Sequence, residues 1–260
     1  MNITIITFSK EGFKIANLLK KVRPTWSIYA HKNIASYNGE SNFESINEII
    51  ESLFHSQDGI IFIGPCGIAV RSIAPYLSHK TTDPAVVVVD AGGRFAISLL
   101  SGHEGGANDL CIEVASVLGA EPCISTTTEA VKTITAGIGC RKGTSSNIIT
   151  EAIENACTIA GISVQNIRTI STAQIKSTEQ GLIDACKVLN IPLRILHNWQ
   201  IKRCTDSFSR SDFVEEVTGL PAIAEPAALV SGRDSILLLR KHIYQGVTIA
   251  LAKERCLWSE

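Results

Sequence analysis

The sequence predicts an α/β fold: two open α/β domains with mostly parallel sheets and glycine-rich loops at the carboxyl ends of strands. Apolar runs of strand length alternate with segments whose apolar residues recur at helical spacing. Residues 59–63 and 85–89 are apolar without a break, as strands buried on both faces of a parallel sheet must be. Three glycine-bearing loops, at 64–71, 101–108 and 137–145, each follow a strand and open a helix.

In chain order, residues 2–8 read as a strand and 11–22 as a helix, with Phe13, Ile15, Ala16, Leu18 and Leu19 at helical spacing. A strand at 26–30, a polar loop at 31–42 and an amphipathic helix at 43–54 come next, then the strand at 59–63. Gly64-Pro65-Cys66-Gly67 leads into a helix lasting to about Leu77. Residues 85–89 and 95–100 flank the turn Asp90-Ala91-Gly92-Gly93-Arg94, a hairpin pattern, with Asp83 and Asp90 as turn caps. A helix to Leu118 and a strand at 122–125 complete a first domain, residues 1–125. Residues 125–130 are polar and lack periodicity, so they read as a linker to a second domain at 131–260.

That second domain opens with a strand at 131–138 and a helix carrying Ile148, Ile149, Ala152, Ile153 and Ala156. Strands at 167–172 and 193–196 enclose a helix at 178–189, and a polar segment spans 197–210. Residues 213–217 read as a helix stopped by Gly219, and 224–229 as another, with Pro226 tolerated in its first turn. Residues 236–239 and 247–252 read as an antiparallel pair.

A formal net charge of -1 and 6% aromatic residues offer neither a basic field nor a stacking platform for nucleic acid. No apolar run approaches a membrane span, and residues 1–5 enter a strand without signal-peptide character, so a soluble cytoplasmic protein is expected. The 8 cysteines show no C-x-x-C pair and no cluster with histidine at metal-finger spacing. No metal site is expected, and packing is their expected role, including for Cys66 and Cys140 in the glycine loops.

The loop Ser101-Gly102-His103-Glu104-Gly105-Gly106-Ala107-Asn108 packs a hydroxyl, an imidazole, a carboxylate and an amide among three glycines. Glycines let a ligand approach the backbone, the open N–H groups of a starting helix suit an anion, and an imidazole moves protons near neutral pH. Arg71, one turn past Gly67, is either an exposed charge or a carboxylate clamp. Around Gly139, the third loop carries Arg141, Lys142, Thr144 and Ser145, an anion loop whose G-x-G-x-x-x-G order departs from the dinucleotide fingerprint. Glu225 falls at a helix start, where a carboxylate is more often a cap than a base. All three loops are expected at carboxyl sheet edges, two of them sharing the first domain's edge, around a cleft that suits a ligand with several carboxylates.

The runs Gly67-Ile68-Ala69-Val70-Arg71, Thr82-Asp83-Pro84-Ala85-Val86-Val87-Val88-Val89-Asp90 and Leu99-Leu100-Ser101-Gly102-His103-Glu104-Gly105-Gly106-Ala107-Asn108 resemble the N-terminal domain of the cobalt-precorrin-5A hydrolase family (CbiG) of anaerobic cobalamin (vitamin B12) biosynthesis. Gly137-Ile138-Gly139-Cys140-Arg141-Lys142-Gly143-Thr144-Ser145 and Glu225-Pro226-Ala227-Ala228 are similar to that family's C-terminal domain. Many members carry a segment between the two domains; here residues 126–130 join them almost directly.

The resemblance implies a cobalt-bearing tetrapyrrole substrate with acetate and propionate side chains, whose ring A δ-lactone is opened with release of acetaldehyde. The cobalt arrives in the substrate, so no further cofactor is implied. For that chemistry His103 is the candidate general base and acid, and Glu225 the second. Gly105, Gly106 and Asn108 are candidate oxyanion donors, with Ser101, Gly102, Gly67 and Gly139 lining the site. Arg71, Arg141, Lys142, Thr144 and Ser145 are candidate holders of peripheral carboxylates. The alternatives are a non-catalytic corrinoid-binding module, handing on to other enzymes of the pathway, and a nucleotide-dependent enzyme using the third loop.

Overall fold

Ile3 to Thr7 form strand β1 (Ile3–Thr7), buried along its whole length. Helix α1 (Lys10–Val22) starts where the Ser9 hydroxyl accepts the Gly12 N–H, and it buries Ile15, Ala16 and Leu19. Strand β2 (Ser27–His31) pairs parallel with β1, and the two-residue β3 (Asn42–Phe43) pairs parallel with β2. The computed structural model describes residues 1–34, 41–204 and 208–256, so part of the polar loop expected at 31–42 lies outside the described residues.

The helix expected at 43–54 is corrected to a 3-10 turn at Ile46–Glu48 followed by α2 (Ile50–Ser56). Phe43 is drawn into the sheet beside His31, and the Ser45 hydroxyl takes the Asn47 N–H, so helical structure cannot begin sooner. Strand β4 (Gly59–Ile63), helix α3 (Cys66–Ile73), strand β5 (Ala85–Val89), strand β6 (Phe95–Leu100), helix α4 (Ala107–Leu118) and strand β7 (Glu121–Cys123) complete this unit, Met1–Thr126.

Its sheet runs β3-β2-β1-β4-β5-β6-β7. The first five strands are mutually parallel, whereas β6 is antiparallel to β5, and β7 follows β6 in parallel. Alternate strand residues feed the two faces: Ile5, Ile61, Ile63 and Val87 pack with α1 and α4, and Ile6, Phe62, Val86 and Val88 with α2 and α3.

The reversal at β6 corrects one expectation. Val86 pairs with Leu100 and Val89 with Ala96, so the Ser101 loop leaves the sheet beside the start of β5. The Gly64 loop leaves at the opposite end, after β4. A hairpin turns the chain round, and the two glycine loops cannot share one edge.

The hairpin turn is built on Asp90. Its carboxylate accepts the N–H groups of Gly92, Arg94 and Phe95 and the Arg94 Nε at 3.0 Å. Burial pushes its pKa up, but the Phe95 N–H, the Arg94 guanidinium and the remaining N–H groups outweigh it and hold the carboxyl below its ordinary value. A carboxylate held low contributes stability that is present above its unfolded pKa and lost as pH falls through the folded one. Asp90→Asn is therefore expected to lower the melting temperature at pH 7 and to shrink the difference from the parent at pH 3. Parallel melting curves at both pH values would show that the turn does not use the charge.

The second unit, Thr127–Glu260, begins with α5 (Thr127–Ala130), a single helical turn within the polar stretch read as a linker at 125–130. Its turn closes with the Val131 N–H on the Thr127 carbonyl and a Lys132–Glu129 ion pair at 3.1 Å. Next come β8 (Ile134–Gly139), α6 (Ser146–Ala160), β9 (Ile167–Ala173), α7 (Gln180–Leu189), β10 (Leu193–Leu196), α8 (Asn198–Lys202), α9 (Asp212–Thr218), α10 (Ala224–Ser231), β11 (Ser235–Tyr244) and β12 (Val247–Glu254). Helix α8 lies inside the stretch read as a polar segment, started by reciprocal capping between His197 and Gln200. Residues 205–207 of that segment lie outside the described residues.

This sheet runs β10-β9-β8-β12-β11, with β8, β9 and β10 parallel and β12 antiparallel to both β8 and β11. One face packs Ala136 and Ile138 with Ile149, Ile153 and Leu182 of α6 and α7. On the other, α10 approaches β8 so closely that the Thr135 hydroxyl donates to the Ala228 carbonyl at 2.7 Å.

Both units are thus α/β with mixed sheets, and across the two most strand pairings are parallel, as the sequence predicts. Cys111, Cys157 and Cys186 are buried. Burial pushes the Cys157 thiol up to about 11 and Cys186 up to about 12, far from thiolate chemistry. Among the described residues no helix is long and apolar enough to cross a membrane.

Candidate functional site

In the first unit the strand order turns outward in both directions from the boundary between β1 and β4, the kind of place where open α/β sheets bind ligands at their carboxyl edge. The loop after β4 carries Gly64, Pro65 and Gly67, and α3 starts there with no side chain capping it. A Cβ on Gly67 would lie 3.3 Å from Nη1 of Arg71, so the guanidinium is folded back over the first turn of its own helix. Arg71 is exposed, and among the described residues it has no carboxylate partner. Phe8, just after β1, faces this loop 3.4 Å from where a Gly64 Cβ would stand. Phe8 was not legible as a site residue, because only the strand order places it there.

At the opposite edge, the Ser101 loop is tied down in detail. The Ser101 carbonyl accepts the N–H groups of Gly105 and Ala107, and the Gly102 carbonyl that of Asn108. The loop therefore caps its own helix, which corrects the expectation that the first N–H groups of α4 stand open; the Gly106 N–H is left without an acceptor among the described residues. Side chains at Gly102 and Gly105 would collide, their Cβ atoms falling 2.6 Å from Thr126 Cγ2 and 2.4 Å from Ser101 Cβ. The buried Asn108 amide accepts from Ser98 Oγ at 2.8 Å and donates to Thr126 Oγ1 at 2.9 Å, a strut between β6, α4 and the end of the unit.

Glu104 is paired with Lys80, whose ammonium hydrogen bond holds the carboxyl below its ordinary value. Ser101 has a left-handed φ of 57°, and its buried hydroxyl has no hydrogen-bond partner among the described residues. His103 is exposed, and among the described residues its ring makes no hydrogen bond. Asp83 lies at the same edge in the capping role expected of it, its carboxylate accepting from the N–H groups of Ser78 and His79.

In the second unit, residues 140–145 leave β8 at its carboxyl end. Gly139 is the last residue of that strand, pairing with Thr248. Arg141 and Lys142 are exposed, and the Arg141 Nε reaches to 3.9 Å from where a Gly246 Cβ would stand. The Thr144 hydroxyl donates to the Arg141 carbonyl at 2.8 Å, fixing the turn. Ser145 is the N-cap of α6 but makes no side-chain cap bond, so the first turn of that helix is open to an anion. One N–H of the loop already holds a carboxylate of the chain: Gly143 donates to Glu179 Oε1 at 2.7 Å, and Lys176 stands 3.6 Å from the other oxygen. Burial pushes the Cys140 thiol up despite nearby Lys176, consistent with packing.

Glu225 is 1% exposed. Its carboxylate accepts the N–H of Ser209 and, at 2.7 Å, that of Lys241, joining the start of α10 to the segment before α9 and to an irregularity in β11. Among the described residues no group of three or more His, Cys, Asp or Glu is arranged to hold a metal ion. Within the first unit the structure therefore places the Arg71 and Ser101 loops apart, and within the second it gathers Gly139 to Ser145 at one edge while seating Glu225 inside.

Residues 48–129 match the family model described as Cobalamin synthesis G N-terminal, and residues 134–252 that described as Cobalamin synthesis G C-terminus. The chain belongs to the CbiG family. It is 40% identical over 140 residues to a cobalt-precorrin-5A hydrolase of Priestia megaterium, a match covering 50% of this chain and 36% of that protein. It is 26% identical over 292 residues to the cobalt-precorrin-5A hydrolase of Salmonella typhimurium, covering 76% of this chain and 82% of the relative. Protein CobE of a Sinorhizobium species is 26% identical over 136 residues, covering 52% of this chain and 88% of CobE. The two CbiG matches contain Arg71 and the Ser101 loop in the first half, and the Arg141 loop and Glu225 in the second; Phe8 lies before them.

Proposed function

We propose that this CbiG chain is a cobalt-precorrin-5A hydrolase that opens the ring A δ-lactone of a cobalt-bearing tetrapyrrole and releases acetaldehyde. The observation that carries the reading is the presence of both CbiG halves in one chain, in order, in common with relatives named for that activity. Water adds to the lactone carbonyl, and the ring C–O bond breaks to give a carboxylate and a free alcohol. Loss of the alcohol proton then breaks the adjacent carbon–carbon bond, the electron pair passes into the macrocycle, and the two-carbon fragment leaves as acetaldehyde. Each step needs a group that takes or gives a proton.

His103 fits that task. It is the exposed imidazole of a loop whose neighbours are locked, and the strained Ser101 with its unpaired hydroxyl is a feature that concentrates at functional sites. The Gly106 N–H is the donor left for an oxyanion. Arg141, Lys142 and the α6 start at Ser145 are the groups that hold carboxylates, whereas Arg71 stands at the sheet edge opposite His103 and is set apart from the reacting lactone. Cobalt enters with the substrate, and the product is handed to later enzymes of the pathway.

Incubation with the cobalt lactone intermediate and an acetaldehyde assay tests the reading directly. Arg141→Ala is expected to weaken binding about tenfold, the loss of one charge-assisted hydrogen bond of about 1.5 kcal/mol, with the effect reduced at high salt, whereas Arg71→Ala, at the edge opposite His103, is expected to change binding little. Parent-like binding of Arg141→Ala would reduce that arginine to a surface charge. Binding without acetaldehyde release would favour a corrinoid-binding or hand-over module. The full engagement of Glu225 and Asn108 in structural hydrogen bonds is what supports that second reading.

A further inference from the structure

Trp199 stands on α8, directly after β10, and is 47% exposed. An indole left half in water gives up much of the burial that makes tryptophan stabilising, so its position calls for another use. Arg203, one turn further on, places its guanidinium carbon 5.2 Å from the centre of the Trp199 ring, a cation–π contact that steadies the indole and leaves it open.

Strands β8, β9 and β10 are neighbours and parallel. The segments at their carboxyl ends, residues 140–145, the 3-10 turn Gln174–Lys176 and α8, therefore line one sheet edge in that order. With strands about 4.8 Å apart, the first and last of these segments are separated by about 10 Å, within the breadth of a tetrapyrrole ring. The edge is cationic. Arg141, Lys142, Lys202 and Arg203 are exposed and have no carboxylate partner among the described residues. The carboxylate of Glu179 is already engaged by Gly143 and Lys176.

An exposed flat ring on a sheet edge that also carries exposed cations suits a flat conjugated ligand with carboxylates on its rim. We infer that Trp199, backed by Arg203, is the surface on which the macrocycle stacks, while Arg141, Lys142 and Lys202 meet its peripheral carboxylates. The inference rests on the proposed reaction and adds to it the group that recognises the ring itself.

The test titrates the full chain with the cobalt lactone intermediate by visible absorbance, for the parent, Trp199→Ala and Trp199→Phe, alongside acetaldehyde release and melting temperature. Trp199→Ala should raise Kd about tenfold or more, as loss of a stacking ring does, and Trp199→Phe should restore most of it. Melting temperatures should agree within a degree or so, because the ring is exposed. A parent that turns over the intermediate while Trp199→Ala binds it equally well overturns this inference and leaves the hydrolase reading standing. Equal loss in both variants with a lowered melting temperature also overturns it, by making the ring a folding element. A parent that neither binds nor converts the intermediate overturns the hydrolase reading, and this inference with it.

Discussion

Gly137→Ala is expected to destabilise the second unit by about 3 kcal/mol or more, enough to leave a large fraction of it unfolded under mild denaturant. Gly137 lies within β8, paired with Ala250 on one side and Ser171 on the other. A Cβ there would stand 1.9 Å from the Ala224 carbonyl oxygen and 2.5 Å from the Ala228 nitrogen. Both are backbone atoms of α10, so no rotamer change relieves the clash, and the helix itself must move away.

That movement is opposed by every bond that seats α10. Thr135 donates to the Ala228 carbonyl at 2.7 Å, the Ser231 and Ser171 hydroxyls lie 2.6 Å apart, and Glu225 holds the N–H groups of Ser209 and Lys241. Each broken buried hydrogen bond costs about 1 kcal/mol, and an abandoned buried carboxylate costs more. Gly139→Ala is the control, since its Cβ would meet neighbours only at 3.8 Å or beyond. Chemical denaturation of the two variants should separate them widely; equal midpoints would show that the close approach of α10 is not a constraint.

The same glycine shows where sequence reading stops. Gly137 and Gly139 look alike as members of a glycine-rich turn, yet Gly137 answers to the small residues Ala224 and Ala228 far along the chain, and no local pattern joins the two stretches. Elements themselves were legible wherever local chemistry decides them: the unbroken apolar runs of β4 and β5, the helical spacing of α1, the glycine that stops α9. The hairpin at Asp90 was legible too, and it already contained the reversal that puts the Ser101 loop opposite the Gly64 loop.

Polar residues near glycines were harder to assign. Asn108 and Glu225 have the chemistry of a reactive site, but partners at Thr126 and Lys241 consume it, and residue type does not reveal partners brought in by folding. Trp199 lay inside a stretch read only as polar, because a four- or five-residue helix is too short to show a period.

His103→Ala is expected to cut acetaldehyde release by roughly 100-fold or more, as removal of a positioned acid or base does, while the fold and substrate binding persist. The structural half of that expectation comes from the loop. Its shape is held by the Ser101 and Gly102 carbonyls, by the collisions that exclude side chains at Gly102 and Gly105, and by the Asn108 strut, none of which involves the imidazole. Melting temperature should therefore be that of the parent. The chemical half is read by single-turnover kinetics, where the loss should fall on the rate and not on Kd. His103→Gln keeps a polar side chain of similar reach but cannot take up a proton, so it should be as slow as the alanine variant. If it is fast, the imidazole only positions substrate. Acetaldehyde release near the parental rate in both variants would move proton transfer off this loop, because its other acid, Glu104, is tied to Lys80 as a low-pKa carboxylate and is poorly suited to serve as a base.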